Sequence, residues 1–160
     1  MRQISEMNQM KKSFESFIYQ KEYEPLLLEF LEKCLPESGR SLDINGRHSC
    51  YKDIGNFYKV FYCMFDDDRI IGVAAVKELT ETSCELKSLY LLEQYHGKGL
   101  GKCLLNKAIS YAKENGYKKM YLDSLSTSKK AIALYRKTGF TDTERYNQNE
   151  RSDVFMVMDL

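Results

Sequence analysis

Three of the nine glycines of this 160-residue chain lie within five residues, at Gly97, Gly99 and Gly101. They mark the point at which the hydrophobic periodicity changes from about two, as in a strand, to about 3.6, as in a helix. A glycine-rich passage from strand to helix places backbone amides and a helix N-terminus around one point. The segment therefore favours an anion-binding turn.

The pattern around this turn predicts a mixed α/β sheet. The predicted elements, in order, are a strand at 14–18, a helix that begins at Pro25, strands at 57–65, 70–76 and 85–92, a helix at 100–112, a strand at 117–123, a helix that ends at Gly139, and strands at 140–145 and 154–160. Residues 36–55 fit a loop or a short helix equally well. Antiparallel neighbours followed by a βαβ crossover predict a mostly antiparallel central sheet of about seven strands, with helices on both faces.

Composition excludes several classes of function. With 24 basic and 23 acidic residues, the net charge of +1 indicates neither a nucleic-acid nor a membrane partner. The N-terminus lacks an apolar signal core and no apolar run could span a bilayer, so we expect a cytoplasmic protein. Five widely spaced cysteines and two histidines predict neither a disulfide framework nor a metal site. We expect a single domain over 1–160, with 1–11 frayed.

Several interpretations of the glycine segment compete. It lacks the G-x-x-x-x-G-K-[ST] pattern of a Walker loop. A Rossmann fingerprint, G-x-G-x-x-G, would need glycine at Lys102 or Leu104, although Asp123 lies near the place of a ribose-binding acid. That alternative stays open, as does a third in which the glycines only form a tight turn.

Two motifs carry a resemblance to a known family. Gln94, Gly97 and Gly99 match the acetyl-CoA loop of the GNAT superfamily, R/Q-x-x-G-x-G/A, and residues 131–140, AIALYRKTGF, are similar to its A-x-x-L-Y-x-x-x-G-F motif. The resemblance extends over about 57–160 and is topological before that. It implies a GNAT-like sheet with a parallel pair that splays at the cofactor site. It also implies an N-acetyltransferase that moves acetyl from acetyl-CoA to a primary amine of a small molecule or protein, by direct attack in a ternary complex without a metal.

The resemblance also assigns the contacts to acetyl-CoA. The strand before the loop would pair with the pantetheine arm, and residues 97–102 would hold the pyrophosphate. Ser128 stands where many relatives have a cofactor-binding asparagine, and it is also one of three candidate N-caps with Ser126 and Thr127. The implied cofactor-binding residues are Leu89, Tyr90, Leu91, Gln94, Gly97, Lys98, Gly99, Leu100, Gly101, Lys102 and Ser128. Ordinary core packing explains the leucines equally well.

Acetyl transfer to an amine also needs a base and an acid. An amine of pKa about 10.4 is neutral only roughly once in 2,500 molecules at pH 7. Glu85 matches the position of the carboxylate base in some family members, although a solvated strand-end charge is an alternative, and Glu78 is a weaker candidate. Tyr135 matches the family's general acid, because a phenol keeps its proton at neutral pH. Helical spacing alone would make Tyr135 a core residue.

The acceptor is the part that the sequence does not identify. Tyr146 and Asn147 lie between the last two strands, a region that often borders the acceptor site in relatives. His96 is expected to be a solvated loop residue. A non-catalytic acyl-CoA-binding sensor of the same fold is the alternative function, although Tyr135 favours an enzyme. Because dimers are common among relatives, a homodimer is one expected assembly.

Overall fold

A computed structural model describes residues 14–160, and the predicted fraying of residues 1–11 lies outside them. Its strands are β1 (Glu15–Ile18), β2 (Val60–Asp66), β3 (Arg69–Glu78), β4 (Ser83–Leu91), β5 (Lys119–Ser124), β6 (Thr141–Asp142) and β7 (Val154–Asp159). They form one sheet in the order β1-β2-β3-β4-β5-β7-β6. Its neighbouring strands are antiparallel except β4 and β5, which run parallel. The predicted mixed, mostly antiparallel sheet is confirmed, and a doubly wound Rossmann sheet is excluded.

Helices flank this sheet. They are α1 (Glu24–Glu37), α2 (Ile54–Phe57), α3 (Leu100–Glu114) and α4 (Lys129–Thr138), with 3₁₀ turns at Lys21–Tyr23, Ser49–Lys52 and Glu93–Tyr95. One apolar cluster joins Leu27 of α1 to Val73 of β3, and a second joins Ala108 of α3 to Met120 of β5. These side chains have no exposed surface, so the clusters fix both layers of helices on the sheet. Within residues 14–160, no helix is both long and apolar enough to cross a membrane.

Two predicted boundaries change in the structure. The β2–β3 hairpin turns over two residues, 67–68, rather than four, because Asp66 and Arg69 still pair and Asp67 adopts a left-handed φ of 53°. The strand predicted at 140–145 is wrong beyond Asp142. There the chain leaves the sheet, and the Arg145 guanidinium donates to the carbonyls of Asn149 and Ser152. Residues 143–153 therefore form a loop between β6 and β7.

The parallel pair opens shortly after it forms. Ser83, Cys84 and Glu85 pair with residues 119–121, while β4 continues to Leu91 without β5. The register of β4 against β3 also shifts beyond Lys87, and Ser88 in the shifted segment has a left-handed φ of 56°. Such a bulge bends its strand, so β4 diverges from β5. We call the resulting gap the β4–β5 opening, and it confirms the predicted splayed parallel pair.

Candidate active site

The loop between β4 and α3 is built to expose backbone amides. Gly97 and Gly99 have φ values of 79° and 77°, which side-chain-bearing residues rarely adopt, and Gly99 is the N-cap of α3. The first intrahelical bond runs from the Cys103 N–H to the Gly99 carbonyl at 3.1 Å. The N–H groups of residues 100–102 therefore have no acceptor within the helix. We call residues 97–102 the amide cradle, and the helix dipole makes it attractive to an anion.

Side chains around the amide cradle leave it open. A methyl group at Gly97 or Gly99 would meet no atom within 4 Å. The Lys98 ammonium lies 5.6 Å from the centroid of the Tyr95 ring and Lys102 is exposed, so both charges remain beside the cradle. His96 is exposed, as expected, but its ring is not free, because Nε2 lies 2.8 Å from the Leu91 carbonyl oxygen.

The predicted pantetheine-binding residues border the β4–β5 opening. Leu89, Tyr90 and Leu91 are half-buried and follow the last β4–β5 pair. Leu89 packs against both apolar clusters, so its core role holds beside its position at the opening. Arg40 donates from Nη1 to the Tyr90 hydroxyl at 3.3 Å. Tyr90 therefore joins the opening to the loop that follows α1.

Two further predicted cofactor residues make no side-chain hydrogen bond to the part of the chain that the structure describes. Gln94 is exposed in the 3₁₀ turn Glu93–Tyr95. Ser128 is the N-cap of α4, but its side chain makes no capping hydrogen bond. The Ser126 hydroxyl instead donates to the Asp153 carboxylate at 2.6 Å. Both Gln94 and the Ser128 hydroxyl are thus available to a ligand.

Tyr135 of α4 has a buried ring and an unused hydroxyl. Its side chain is 7% exposed and packs edge-on against Phe140, with ring centroids 5.9 Å apart. Among the residues that the structure describes, no group hydrogen-bonds to its hydroxyl. Burial raises the pKa of Tyr135, and Tyr90 and Asp123 raise it further, while the charge of Arg40 lowers it. The Tyr135 phenol therefore stays protonated, and the two residues that raise its pKa besides burial, Tyr90 and Asp123, belong to the two strands that diverge.

Glu85 is the buried half of a carboxylate pair. Glu85 is only 2% exposed, so the alternative of a solvated charge at the end of a strand is wrong. The Tyr146 hydroxyl donates to its carboxylate, as does Asn147 Nδ2 at 3.2 Å, and Lys87 Nζ lies 3.3 Å away. Burial raises the pKa of Tyr146, as does the charge of Glu85, so this hydroxyl remains a donor. Glu85 is thus held by three donors in a site with little water.

Asp123 of β5 is the other half of the pair. Its Oδ2 lies 3.6 Å from Lys87 Nζ, so one ammonium bridges the two carboxylates across the β4–β5 opening. Asn147, Asn149 and Ser152 also donate to Asp123, at 2.5, 3.4 and 3.1 Å. Burial alone would raise the pKa of Asp123, but Lys87 and these hydrogen bonds outweigh it and lower the pKa. We call Glu85, Lys87 and Asp123 the carboxylate cluster, and its net charge is −1.

The sequence identified Glu85 of this cluster and two of the side chains that contact it. It placed Tyr146 and Asn147 near an acceptor, and the structure brings both onto Glu85. It missed Lys87, although a residue two positions from Glu85 on a strand must share its face. The weaker base candidate Glu78 lies elsewhere, accepting a hydrogen bond from the Tyr117 hydroxyl at 2.7 Å. Between residues 14 and 160, no three His, Cys, Asp or Glu side chains form a group that could hold a metal ion.

Comparison with known proteins relates the sequence to one family. A family model described as "Acetyltransferase (GNAT) family" matches residues 16–140. The uncharacterized N-acetyltransferase YjgM of Escherichia coli is 38% identical over 77 residues, which cover 46% of this chain and 46% of that protein. The chain thus spans less than half the length of this curated relative.

Solved structures share the fold. A GNAT-family acetyltransferase from Staphylococcus aureus has a TM-score of 0.83 at 20% identity, and the match covers 92% of this chain and 99% of that one. The PaiA N-acetyltransferase of Thermoplasma acidophilum, solved in complex with coenzyme A, has a TM-score of 0.72 at 21% identity, with coverages of 92% and 99%. At such identities the likeness concerns the fold alone.

Proposed function

Since the chain belongs to the acetyltransferase (GNAT) family, we propose that it transfers an acetyl group from acetyl-CoA to a primary amine, on a small molecule or protein, by direct attack in a ternary complex. One observation carries this proposal. The Tyr135 hydroxyl is protonated, has no hydrogen-bond partner within residues 14–160, and has its pKa raised by Tyr90 and Asp123, which belong to the two strands that diverge at the β4–β5 opening. An anion site can hold the co-substrate, a carboxylate can take the proton of the amine, and a proton donor can serve the departing sulfur.

The chain's own groups suit coenzyme A. The amides of residues 100–102 can donate to a diphosphate, and Lys98 and Lys102 supply charge nearby. Within residues 14–160, the side of β4 that faces the opening has no strand partner beyond Glu85, so its backbone can pair with an extended amide-bearing arm. Acetyl-CoA, when bound, supplies an acetyl thioester. The residues therefore fit this co-substrate.

The carboxylate cluster can prepare the amine. Lys87 Nζ occupies a position between the carboxylates of Glu85 and Asp123. An acceptor ammonium that displaces Lys87 Nζ meets the same two carboxylates, and Glu85 accepts its proton. The free amine then attacks the thioester carbon, so that a nitrogen–carbon bond forms and the carbon–sulfur bond breaks.

Tyr135 completes the transfer. The departing sulfur carries the electron pair of the broken bond and needs a proton. The raised pKa of Tyr135 keeps its phenol protonated at neutral pH, and no group within residues 14–160 competes for that proton through a hydrogen bond. Tyr135 donates to sulfur and is reprotonated by the proton that the new amide nitrogen loses.

A panel of primary amines tests the proposal directly. The protein is incubated with acetyl-CoA and each amine, free CoA thiol is measured, and the product is identified by mass spectrometry. We expect amine-dependent thiol release together with an N-acetylated product. Acetyl-CoA binding without release for every amine would instead support a sensor of the same fold. Absence of acetyl-CoA binding would overturn both functions.

A further inference from the structure

An open polar pocket lies between the loop that follows α1 and Arg151 of the loop at 143–153. It has a volume of about 470 Å³, within the range of small-molecule sites. It is lined by Gly39, Arg40, Ser41, Asp43, Arg47 and Arg151. We call it the arginine pocket. Three guanidinium groups face one carboxylate in it, so it carries an excess of positive charge.

The charge of this pocket is not neutralised by the fold. Among residues 14–160, no carboxylate lies within ion-pair distance of the guanidinium groups of Arg40, Arg47 and Arg151. Asp43, the acidic member, is already used within its loop, where its Oδ2 accepts the Arg47 backbone N–H at 3.2 Å. Arginine offers fixed forks of N–H donors that suit carboxylate and phosphate groups. The arginine pocket is therefore matched to an anion.

Two hydrogen-bonded paths connect the arginine pocket to the candidate active site. On one side, Arg40 donates to the Tyr90 hydroxyl, and the charge of Arg40 acts on Tyr135. On the other side, the Arg151 backbone N–H donates to Asn149 Oδ1 at 3.2 Å, and Asn149 Nδ2 donates to Asp123. A ligand in this pocket would thus be linked to the candidate active site through Tyr90 of β4 and through Asn149, which contacts Asp123.

We propose that the acceptor is a small amine that also carries an anionic group, which the arginine pocket binds while the carboxylate cluster binds the amine. This inference rests on the proposed acetyl transfer and specifies its substrate class. The positive amine of such an acceptor would meet the negative cluster, and its anionic group would meet the positive pocket. Carboxylate and phosphate share the required chemistry.

Matched acceptor pairs test this selectivity. Rates are measured for amino acids against their carboxamides, and for O-phosphoethanolamine against ethanolamine, so that the two arms separate a carboxylate from a phosphate. We expect at least one anionic member to exceed its neutral partner by about tenfold or more in kcat/KM, because the neutral partner cannot accept a charge-assisted hydrogen bond from a guanidinium group. Equal rates within every pair overturn the proposal.

Variants assign the selectivity to the pocket. Arg47 and Arg151 are exposed, so Arg47→Gln with Arg151→Gln should preserve the fold while the ratio within the preferred pair falls towards one. Lys113→Gln removes one exposed positive charge at the other end of α3 and should leave the ratio unchanged. If the double arginine variant keeps the wild-type ratio of kcat/KM within the preferred pair, the assignment of the pocket to the acceptor is contradicted. A weaker affinity for acetyl-CoA without a change in that ratio contradicts it as well.

A binding measurement separates this proposal from the proposed function. N-acetyl amino acids and their carboxamides are titrated into the CoA-bound protein by calorimetry, which needs no turnover. Tighter binding of the anionic probe, lost in the double arginine variant, supports the arginine pocket. Equal affinities of the two probes overturn the arginine pocket and leave acetyl transfer standing, whereas absence of acetylation for every amine in the panel overturns acetyl transfer.

Discussion

The amide cradle and the carboxylate cluster border the same opening in the sheet, but they are built by different means. The cradle consists of consecutive residues, 97–102, and it works through backbone N–H groups that two left-handed glycines and a helix start expose. The cluster works through side chains that β4, β5 and the loop at 143–153 bring together. Substitutions should therefore affect the cradle through backbone conformation and the cluster through charge.

This difference also separates what each region can recognise. Backbone amides bind a diphosphate whichever side chains surround them, so the cradle suits a co-substrate that many related proteins share. Side chains from distant segments change one at a time, so the cluster and the neighbouring arginine pocket suit an acceptor particular to this chain. We expect the two regions to respond independently to substitution, because they share no hydrogen-bond partner among the described residues.

Tyr135→Phe should have the largest effect on turnover, because it removes the proposed proton donor of the reaction that involves both regions. Loss of a general acid should lower kcat on the order of 1,000-fold, within the usual range for such catalysis. The affinity for acetyl-CoA should stay within about twofold, since the hydroxyl makes no hydrogen bond that supports the described fold. Turnover is followed by thiol release, and affinity by calorimetry.

Tyr111→Phe is the matched control, because that hydroxyl donates to the Lys59 carbonyl at 3.2 Å, away from the opening. It should keep wild-type kcat. If Tyr135→Phe also keeps wild-type turnover, Tyr135 is not the acid.

Glu85→Gln should have the next largest effect and should act on the carboxylate cluster alone. The amide keeps the shape of the side chain but cannot accept the ammonium proton, so we expect kcat to fall about 100-fold. Asp123 remains to hold the ammonium, which limits the loss in KM. The pH–rate profile measures the role, because a base should lose its acidic limb in this variant.

The exposed Glu81 in the β3–β4 turn provides a charge-matched control, and Glu81→Gln should leave the profile unchanged. A wild-type profile in Glu85→Gln would show that another group or a water removes the proton. A change confined to KM would make Glu85 a residue that positions the amine.

Gly99→Ala should act on the amide cradle alone. An added methyl group meets no atom within 4 Å, so the cost is the left-handed backbone itself, about 1–2 kcal/mol. We expect the acetyl-CoA dissociation constant to rise about tenfold, with kcat at saturation nearly unchanged. Gly55→Ala is the control, because its φ is not left-handed and its added methyl also meets open space. Equal affinities of the two variants would show that the cradle does not hold the diphosphate.

The same contrast explains which parts of the site could be predicted from sequence. Gly97, Gly99 and the helix start are contiguous, so their spacing alone indicated an anion site. The order of strands and helices followed from periodicity. The length of β6 was overestimated, because the Arg145 guanidinium donates to loop carbonyls and the chain leaves the sheet after Asp142. The bridge from Lys87 to Asp123 could not be predicted, because it depends on how far β4 and β5 diverge.

His48 should have the smallest effect, and it lies in the loop that carries the arginine pocket. The Asp43 backbone N–H donates to His48 Nδ1 at 2.9 Å, so the fold requires that nitrogen to be unprotonated. Burial lowers the pKa of His48 below its ordinary value of about 6.5. The charge of Arg40 adds to this shift and the charge of Asp43 opposes it. Below pH 6.5 the unfolded chain therefore binds more protons than the native protein, and the free energy of unfolding should fall as the pH falls.

His48→Asn isolates this contribution, because the amide oxygen can accept the same hydrogen bond without titrating. Between pH 8 and pH 5 the wild type should lose about 1 kcal/mol of stability relative to the variant, the scale of one hydrogen bond, as measured by urea denaturation. The affinity of the wild type for the acceptor should fall together with its stability, because Arg47 directly precedes His48. The amide cradle contains no histidine, so the affinity for acetyl-CoA should change equally in both proteins. A parallel pH dependence of stability in the two proteins would show that His48 does not couple protonation to the shape of the arginine pocket.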